Sequence, residues 1–319
     1  MAPECYDGPN EREDSTVSVN VWIVVGEEPA IGNLITVARS LGGPVAAVVA
    51  GPRATAETVA ASGVDRVVWC GTPDGVPAEA SAPAVAEAVA ADPPKVVLGG
   101  RNPGDRVLLG AAAARLGAAV LTGARSVAAD GDGVTVVNAV FGDISDETVA
   151  VTGPVALLMD GGSVPPAEGA AVPIEEAAGT PLGMKVIETK KSGFEEVDLN
   201  EAVRVIGVGR GLKTKEDLAL IDALASAVEA EIACSRPVAE GLNWMGKDRY
   251  IGSSGAHISP QLYLAVGISG QLQHMVGVVG AETIVAINSD PNAAVFKQVD
   301  YGLVGDLYQL VPAITSALE

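Results

Sequence analysis

The strongest constraint on the fold is the regular alternation of short apolar runs with alanine-rich segments along the chain. Runs rich in Val, Ile and Leu are typical of buried strands, while alanine-rich segments of about ten residues are typical of helices. Short β-branched runs separated by such helices indicate βαβ units with right-handed crossovers. The pattern predicts an N-terminal α/β domain built on a parallel sheet. Its predicted strands are 17–25, 45–50, 67–69 and 95–98, and its predicted helices are 31–41, 54–62, 82–90 and 106–116.

The pattern changes after residue 119, where short apolar runs are separated by Gly and Asp turns. These runs are 134–142, 147–153 and 155–161. Close spacing with turn residues is typical of antiparallel hairpins. We therefore expect antiparallel strands at the edge of the N-terminal sheet.

The charged stretch 188–203, punctuated by helix breakers, is typical of a connection between domains. We place the domain boundary near Phe194, which gives an N-terminal domain over 17–194 and a C-terminal domain over 195–319. Residues 1–16 are polar, acidic and without periodicity, and we interpret them as a disordered acidic tail.

The glycine-rich turn GGRNPGDR, residues 99–106, follows the fourth predicted strand. It could hold a nucleotide phosphate, as glycine turns before helices often do. It could also be an ordinary strand-end turn with Asp105 near the start of a helix. The second interpretation is favoured.

Charge restricts the classes of function. The chain has 40 acidic and 20 basic residues, a net charge of −20, which repels nucleic acids and anionic membranes. The acids are scattered, so we interpret them as the hydrated surface of a protein from a halophile, with docking to a basic partner as the alternative. No apolar run approaches the roughly 18 residues of a membrane-spanning helix, so no direct membrane insertion is expected.

Three cysteines without CxxC spacing predict neither a metal site nor a disulfide framework. An odd number of cysteines, with no secretory apolar stretch, favours the reducing cytoplasm. Cys234 could line a cofactor pocket, although a small buried filler is the favoured interpretation.

The C-terminal third repeats one arrangement, an apolar strand that ends in a turn of glycine and polar residues. It occurs at 205–213, 262–271, 283–296 and 299–312. Glycine beside a hydroxyl residue lets backbone N–H groups approach an anion. Such turns predict a C-terminal doubly wound α/β domain whose loops converge on a dinucleotide. Gly207, Gly209 and Gly211 lack the spacing and the acidic partner of a nicotinamide site, so an ordinary NAD site is a poor match.

Six segments of this region carry a specific resemblance: GRGL, SRPVAEG, IGSSG, SPQLYLAVGISGQLQH, VAINSDPNAAVF and DYGLVGDLYQLVP. In order and spacing they resemble the FAD-binding half of electron transfer flavoprotein alpha subunits (the FixB family). The resemblance is strong over 205–318 and extends to the first two hundred residues only by pattern. It implies a DHS-like C-terminal domain that binds FAD.

The same resemblance implies partners. The chain would be the FAD-carrying subunit of a heterodimer whose beta subunit carries AMP or a second FAD. Electrons would come from acyl-CoA or other flavin dehydrogenases, as in fatty acid β-oxidation, and leave to a membrane quinone oxidoreductase.

The resemblance also assigns site residues. It implies that Arg236 lies over the isoalloxazine ring and favours its reduced, anionic states. Ser254 would lie near flavin N5, and His274 near the pyrimidine edge, where an imidazolium would add positive charge. The family more often has Gln-Thr where this chain has Ser253 and Ser254, so only the second hydroxyl is retained. The implied FAD contacts are Arg210, Ser235, Arg236, Ile251, Gly252, Ser253, Ser254, Ser269, Gly270, Gln271, Leu272, Gln273, His274, Asn288, Asp306 and Leu307.

The residues by themselves leave alternatives open. A guanidinium keeps its charge and can stack on a planar ring, but Arg236 could instead pair with one of the many acids. His274 could be a satisfied core histidine, and Asp306 could be an acid at a helix N-terminus. His257 has no assigned role.

Two other functions remain open on the same fold. One is transferase chemistry with a bound dinucleotide, for which Lys247 is the nearby nucleophile. The other is a non-redox module that senses FAD or a nucleotide and binds a partner.

Overall fold

The computed structural model describes residues 19–73, 75–141, 145–167, 170–177, 179–189, 199 and 202–318. The chain divides into two units, the first formed by residues up to 138 with 148–185, the second by 139–147 with the chain from 186 onward. The predicted boundary near Phe194 and the predicted tail 1–16 lie outside the described residues. Within the described residues the mixed α/β class is confirmed.

The first unit begins with alternating strands and helices, including a short 3₁₀ turn at Ala78–Ser81, and its described residues then continue with strands alone after Leu116. Its helices are α1 Gly32–Ser40, α2 Arg53–Ala60, α3 Ala82–Ala91 and α4 Pro103–Leu116. Its strands are β1 Val19–Val25, β2 Gly42–Val49, β3 Arg66–Trp69, β4 Val96–Gly99, β5 Ala119–Leu121, β6 Ala124–Asp130, β7 Gly133–Val140, β8 Ser145–Val151, β9 Val155–Leu158 and β10 Ile174–Glu176.

The large sheet of this unit is parallel, in the order β10-β3-β2-β1-β4-β9-β5. Strand β1 shows why its sequence is apolar throughout. Val21, Ile23 and Val25 pack into the core on one face, and Trp22 and Val24 pack into the core on the other. A strand covered on both faces needs a continuous apolar run, which is the pattern predicted for this region.

The antiparallel strands predicted after residue 119 are present, but as a separate three-stranded sheet, β6-β7-β8. The third predicted run differs. Strand β9 lies between β4 and β5 in the large sheet and is parallel to both. The physical reason is burial, because all four residues of β9 are buried, as in a strand covered on both faces, whereas β8 is mostly exposed.

The turn 99–106 is closed by a buried carboxylate. Asp105, only 2% exposed, accepts the N–H of Gly26 at 2.6 Å and the side-chain amide of Asn102 at 2.6 Å. Asn102 in turn accepts the N–H of Asp105 at 2.8 Å and caps α4. Burial raises the pKa of Asp105 to about 6, with the Gly26 and Asn102 donors opposing the shift. The geometry agrees with the favoured interpretation, a strand-end turn.

The second unit is a single parallel sheet with helices on its faces. Its strands are β11 Arg204–Val208, β12 Glu231–Ser235, β13 Tyr250–Ile251, β14 Leu262–Val266, β15 Thr283–Asn288 and β16 Tyr301–Val304. Its α-helices are α5 Leu218–Val228, α6 Leu272–Met275 and α7 Leu307–Leu318, with single turns of 3₁₀ or π-helix at Lys215–Asp217, Pro237–Gly241, Lys247–Arg249, Val276–Val278 and Ala294–Lys297.

The strand order is β13-β12-β11-β14-β15-β16, the order of a doubly wound dinucleotide-binding sheet. On one face Ile206 and Val266 pack with Ile221 of α5 and Val311 of α7. On the other face Tyr263 packs beside Met275 of α6 in a second cluster. The C-terminal prediction of a doubly wound domain is confirmed.

Strand β16 forms one edge of this sheet, and all four of its residues are exposed. Tyr301 is 67% exposed and Val304 is 56% exposed. Within the described residues, no helix has the length and apolarity needed to cross a membrane.

We predict that Asp105→Ala destabilises the first unit by about 3 kcal/mol, because the Gly26 N–H and the Asn102 amide lose their acceptor in a buried place. Denaturant unfolding followed by the fluorescence of the buried Trp22 measures the change. Asp132→Ala, an exposed acid in the same unit, is the matched control and should leave the midpoint unchanged. Equal unfolding midpoints for the two variants would contradict the assignment.

Candidate functional site

The candidate site lies where the strand order of the second sheet reverses. Strands β11 and β14 are neighbours there, and connections from their carboxyl ends run to opposite sides, which opens a crevice. A cavity of about 540 Å³ occupies this crevice. It is lined by Gly209, Arg210, Ser235, Arg236, Pro237, Tyr250, Ile251, Ser253, Gly267, Ile268, Ser269, Gln271, Leu272, Gln273 and His274.

The structure brings most of the predicted site residues together at this cavity. They come from the loops after four different strands, β11 to β14, so the sequence distance between them is large. The members of the predicted set that do not line the cavity are Gly252, Ser254, Gly270, Asn288, Asp306 and Leu307.

Glycines let the loops after β11 and β14 approach each other closely. The N–H of Gly211 donates to the carbonyl of Gly267 at 3.1 Å, and a Cβ at Gly209 would overlap that same carbonyl. Gly267 has φ +64°, a conformation that other residues rarely adopt. The floor of the crevice is therefore backbone rather than side chain.

Two further glycines hold the neighbouring loops in place without lining the cavity. Gly252, with φ +144°, lies against the Gln273 carbonyl, which also accepts the Ser253 N–H at 2.7 Å. Gly270, with φ +80°, lies against the backbone of Val295 so closely that a Cβ would overlap its nitrogen. Both glycines therefore shape the cavity indirectly.

Arg236 stands at the mouth of the cavity. Its side chain is 64% exposed, and its Nε donates to Glu240 at 2.7 Å. The Glu240 carboxylate raises the pKa of Arg236, so the guanidinium stays charged. Solvent screens an exposed pair of this kind, so a planar ligand could draw the guanidinium away from Glu240 at small cost.

His274 is buried at the inner end of the cavity. Its Nε2 lies 2.7 Å from the hydroxyl of Tyr263, and the residue is 8% exposed. Burial lowers the pKa of His274 to about 4, an effect that the backbone of Ile251 opposes. Without a ligand, this desolvation favours the neutral ring near pH 7, which differs from the imidazolium that the resemblance implies.

The second ring nitrogen of His274, Nδ1, makes no hydrogen bond within the described part of the chain. A buried polar atom without a partner costs free energy, so such atoms are few and usually face a missing group. His274 lines the cavity, and its ring also interacts with the Ile251 backbone at a geometry too poor for a hydrogen bond, so Nδ1 is the ring nitrogen left to contact that backbone or a ligand.

Other predicted residues have internal roles that the structure makes visible. The Ser254 hydroxyl lies 2.6 Å from that of Tyr250, which lines the cavity. The Asn288 amide donates to the Ile268 carbonyl at 2.8 Å. Asp306 accepts the N–H of Tyr308 at 3.0 Å at the start of α7, as in the alternative interpretation. The side chain of Leu307 belongs to the core.

Sequence reasoning missed several lining residues: Gly209, Pro237, Tyr250, Gly267 and Ile268. The two glycines stood in the polar turns that gave the signal, whereas nothing local distinguishes Pro237 or Tyr250. Cys234 is fully buried at the end of β12, and burial raises its thiol pKa to about 12, which agrees with a filler role. Among the described residues, no cluster of His, Cys, Asp and Glu is arranged to hold a metal ion.

Sequence profiles of two domain families match the chain. The electron transfer flavoprotein domain matches residues 28–182, and the electron transfer flavoprotein FAD-binding domain matches residues 198–279. The second match contains every residue that lines the cavity.

Individual proteins that are similar to the chain match it over a shorter stretch. A protein of Escherichia coli (strain K12), named as electron transfer flavoprotein subunit YdiR, is 54% identical over 132 residues, 41% of this chain and 42% of the relative. Protein FixB of Salmonella typhimurium (strain LT2) and of Escherichia coli O9:H4 (strain HS) are each 52% identical over 130 residues, 41% of this chain and 42% of each relative. The matched stretch thus spans about two fifths of the length of these relatives.

The residues present fit an FAD molecule. The backbone floor of glycines admits a flat or phosphorylated group, the exposed guanidinium of Arg236 can lie against a ring, and Nδ1 of His274 lacks a partner. Each of these features suits a different part of a flavin dinucleotide.

We predict that Gly270→Ala destabilises the second unit by about 3 kcal/mol, since the new Cβ would meet the Val295 backbone and φ +80° strains any other residue. Gly241→Ala is the matched control, because a Cβ there meets open space. Unfolding followed through Trp244 should separate the two variants clearly. Indistinguishable stabilities would disprove the packing role.

We also predict that the free energy of unfolding falls by about 2 kcal/mol between pH 7 and pH 5 through His274. The folded pKa is near 4 and the ordinary value is 6.5, so the unfolded chain takes up the proton first as pH falls. The contribution is present above pH 6.5 and is lost toward pH 4. His274→Gln should flatten this part of the pH profile, and a profile unchanged by the substitution would refute it.

Proposed function

Because the chain belongs to the electron transfer flavoprotein family, we propose that it is the FAD-carrying, alpha-type subunit of such a protein. In this proposal FAD occupies the cavity at the reversal of the second sheet, and electrons pass through it between partner proteins. The observation that carries the proposal is the cavity itself. It lies wholly within the FAD-binding match, and it is lined by the buried His274, whose Nδ1 makes no hydrogen bond in the described residues.

The flavin ring is proposed to lie between Arg236 and His274. Arg236 brings a permanent positive charge from the open side, and His274 brings a neutral N–H donor from the buried side. Tyr250 and Ser254, whose hydroxyls are joined at 2.6 Å, would stand beside the ring edge. FAD supplies the chemistry, which is the reversible uptake and release of electrons.

The loop Ser269–Gln273 is proposed to hold the pyrophosphate, together with Arg210 and Ser235 on facing loops. Asn288 and Asp306 stand at the ends of the next two strands, where the adenosine half would lie. Asp306 uses one oxygen to cap α7 and is exposed, so the other oxygen can accept a ribose hydroxyl.

The electrostatic role of this arrangement follows from its charges. Reduction adds negative charge to the ring system, and a fixed guanidinium nearby stabilises that charge more than the oxidised state. A neutral imidazole contributes a hydrogen bond rather than a full charge. Arg236 is therefore the main residue proposed to raise the reduction potential.

The partners belong to the same proposal. They are a beta subunit that carries AMP or a second FAD, acyl-CoA or other flavin dehydrogenases as donors, and a membrane quinone oxidoreductase as acceptor, all in the cytoplasm or at its membrane. The exposed apolar residues of β16 support a partner protein, since open apolar strand edges are usually covered in the working assembly. The acidic surface suits docking to basic partners as well as a high-salt habitat.

The transferase alternative has little support from the geometry. Lys247 does not line the cavity, its side chain is 77% exposed, and its ammonium lies 3.5 Å from Glu240. The FAD-sensing alternative differs from electron transfer only in redox behaviour, so reduction of the bound FAD distinguishes the two.

We predict that the purified chain, co-expressed with its beta subunit, binds one FAD and that Arg236→Ala lowers the midpoint potential of that FAD by roughly 40–80 mV. The loss corresponds to about 1–2 kcal/mol of cation–ring interaction in a one-electron step. Stepwise dithionite reduction followed by absorption measures both quantities. Arg236→Lys keeps the charge but not the planar group, so its midpoint potential should lie between those of the wild type and Arg236→Ala.

Lys247→Ala is the matched control, since it removes a nearby positive charge that pairs with the same Glu240 but lies outside the cavity. It should leave the potential within about 10 mV, given the weak interaction of exposed charges in water. A colourless protein after reconstitution with FAD would overturn the proposed function, and bound FAD that dehydrogenases cannot reduce would favour the sensing module.

A further inference from the structure

A buried tyrosine supports the histidine of the site. Tyr263 is the second residue of β14, is fully buried, and places its hydroxyl 2.7 Å from Nε2 of His274. In the described part of the chain this is the hydrogen bond that satisfies the Tyr263 hydroxyl. Burial raises the pKa of Tyr263 far above its ordinary value, so the hydroxyl keeps its proton.

The direction of this hydrogen bond follows from the other donors and acceptors available to Tyr263 and His274. If Nε2 carried the proton and donated, the Tyr263 hydroxyl hydrogen would need a second acceptor in the core. A buried hydroxyl without an acceptor costs about 1–3 kcal/mol, so the hydroxyl is better placed as the donor. Nε2 then accepts, and the proton of the neutral ring resides on Nδ1.

We propose that Tyr263 is a positioning residue that keeps the proton of His274 on Nδ1, so that the ring donates a hydrogen bond to an acceptor atom of the ligand in the cavity. This inference rests on the proposed function, in which the acceptor is a carbonyl oxygen of the flavin pyrimidine ring. Nδ1 makes no hydrogen bond in the described residues, although the Ile251 backbone lies near the ring, so its proton can be donated to an acceptor that a ligand brings.

Gly207 on the neighbouring strand β11 makes this arrangement possible. A Cβ at that position would overlap the Tyr263 hydroxyl and approach its ring carbon Cζ at 2.5 Å. Glycine inside a strand is unfavourable for the sheet and often marks a place where another group approaches closely. Gly207 therefore makes room for the Tyr263 hydroxyl rather than for a phosphate.

The tautomer can be observed directly, because the chain has only two histidines. Nitrogen-15 NMR of ring-labelled histidine in the ligand-free full chain, with His257→Gln to assign the other ring, reports which nitrogen of His274 carries the proton. Tyr263→Phe keeps the ring and its packing but removes the hydroxyl. Tyr308→Phe is the matched control, since its hydroxyl bonds Asp217 at 2.6 Å and does not touch His274.

The expected result is a proton on Nδ1 in the wild type and in Tyr308→Phe, and a proton shared between both nitrogens in Tyr263→Phe. FAD titration of the same variants should then show a dissociation constant about twofold higher for Tyr263→Phe, because only about half of the protein is competent to bind. The melting temperature of each variant reports whether folding alone explains the loss.

A wild-type proton on Nε2, or a Tyr263→Phe spectrum equal to that of the wild type, would overturn the inference about Tyr263. In that case FAD binding to the wild type would still support the proposed function. Absence of FAD binding to the wild type would overturn the proposed function instead. The NMR arm needs no cofactor and decides the role of Tyr263 in either case.

Discussion

The close approach of two backbone loops, after β11 and β14, is the constraint on which the candidate site depends. Gly209, Gly211 and Gly267 allow contact distances that any Cβ would prevent. That approach fixes the floor of the cavity, sets the direction in which the Ser269–Gln273 loop leaves the sheet, and brings His274 beneath the opening. The glycines create the space that the side chains of the site line, so the site depends on them first.

The two units differ in what fills the space beyond two neighbouring central strands of each sheet. In the first, β1 and β4 are neighbours, and the carboxylate of Asp105 occupies the space beyond their ends and takes up the local donors. In the second, β11 and β14 are neighbours, and the space stays open, with a buried imidazole nitrogen unpaired beside it. A backbone that favours an anion can thus be satisfied by the chain itself or left for a ligand.

Desolvation decides how the polar residues of the site behave. Burial lowers the pKa of His274 and raises that of Tyr263, which favours the neutral form of both, so in the proposed site they would act through the direction of a hydrogen bond. Arg236 is exposed and its ion pair with Glu240 is screened by solvent, so in the proposed site it would act through its charge. A directed hydrogen bond from the buried side and a positive charge from the exposed side would together suit a planar, electron-accepting group.

The amino-acid sequence determined the α/β class and the doubly wound second sheet, because strand periodicity and glycine turns are local properties of the chain. Most of the residues around the cavity came instead from the resemblance of C-terminal segments to a known family. Tertiary structure alone decided the rest. The parallel placement of β9 and the positions of Tyr250 and Pro237 at the cavity depend on neighbours distant in sequence. The neutrality of His274 and the use of Gly207 by Tyr263 depend on burial, which exists only once the elements have packed.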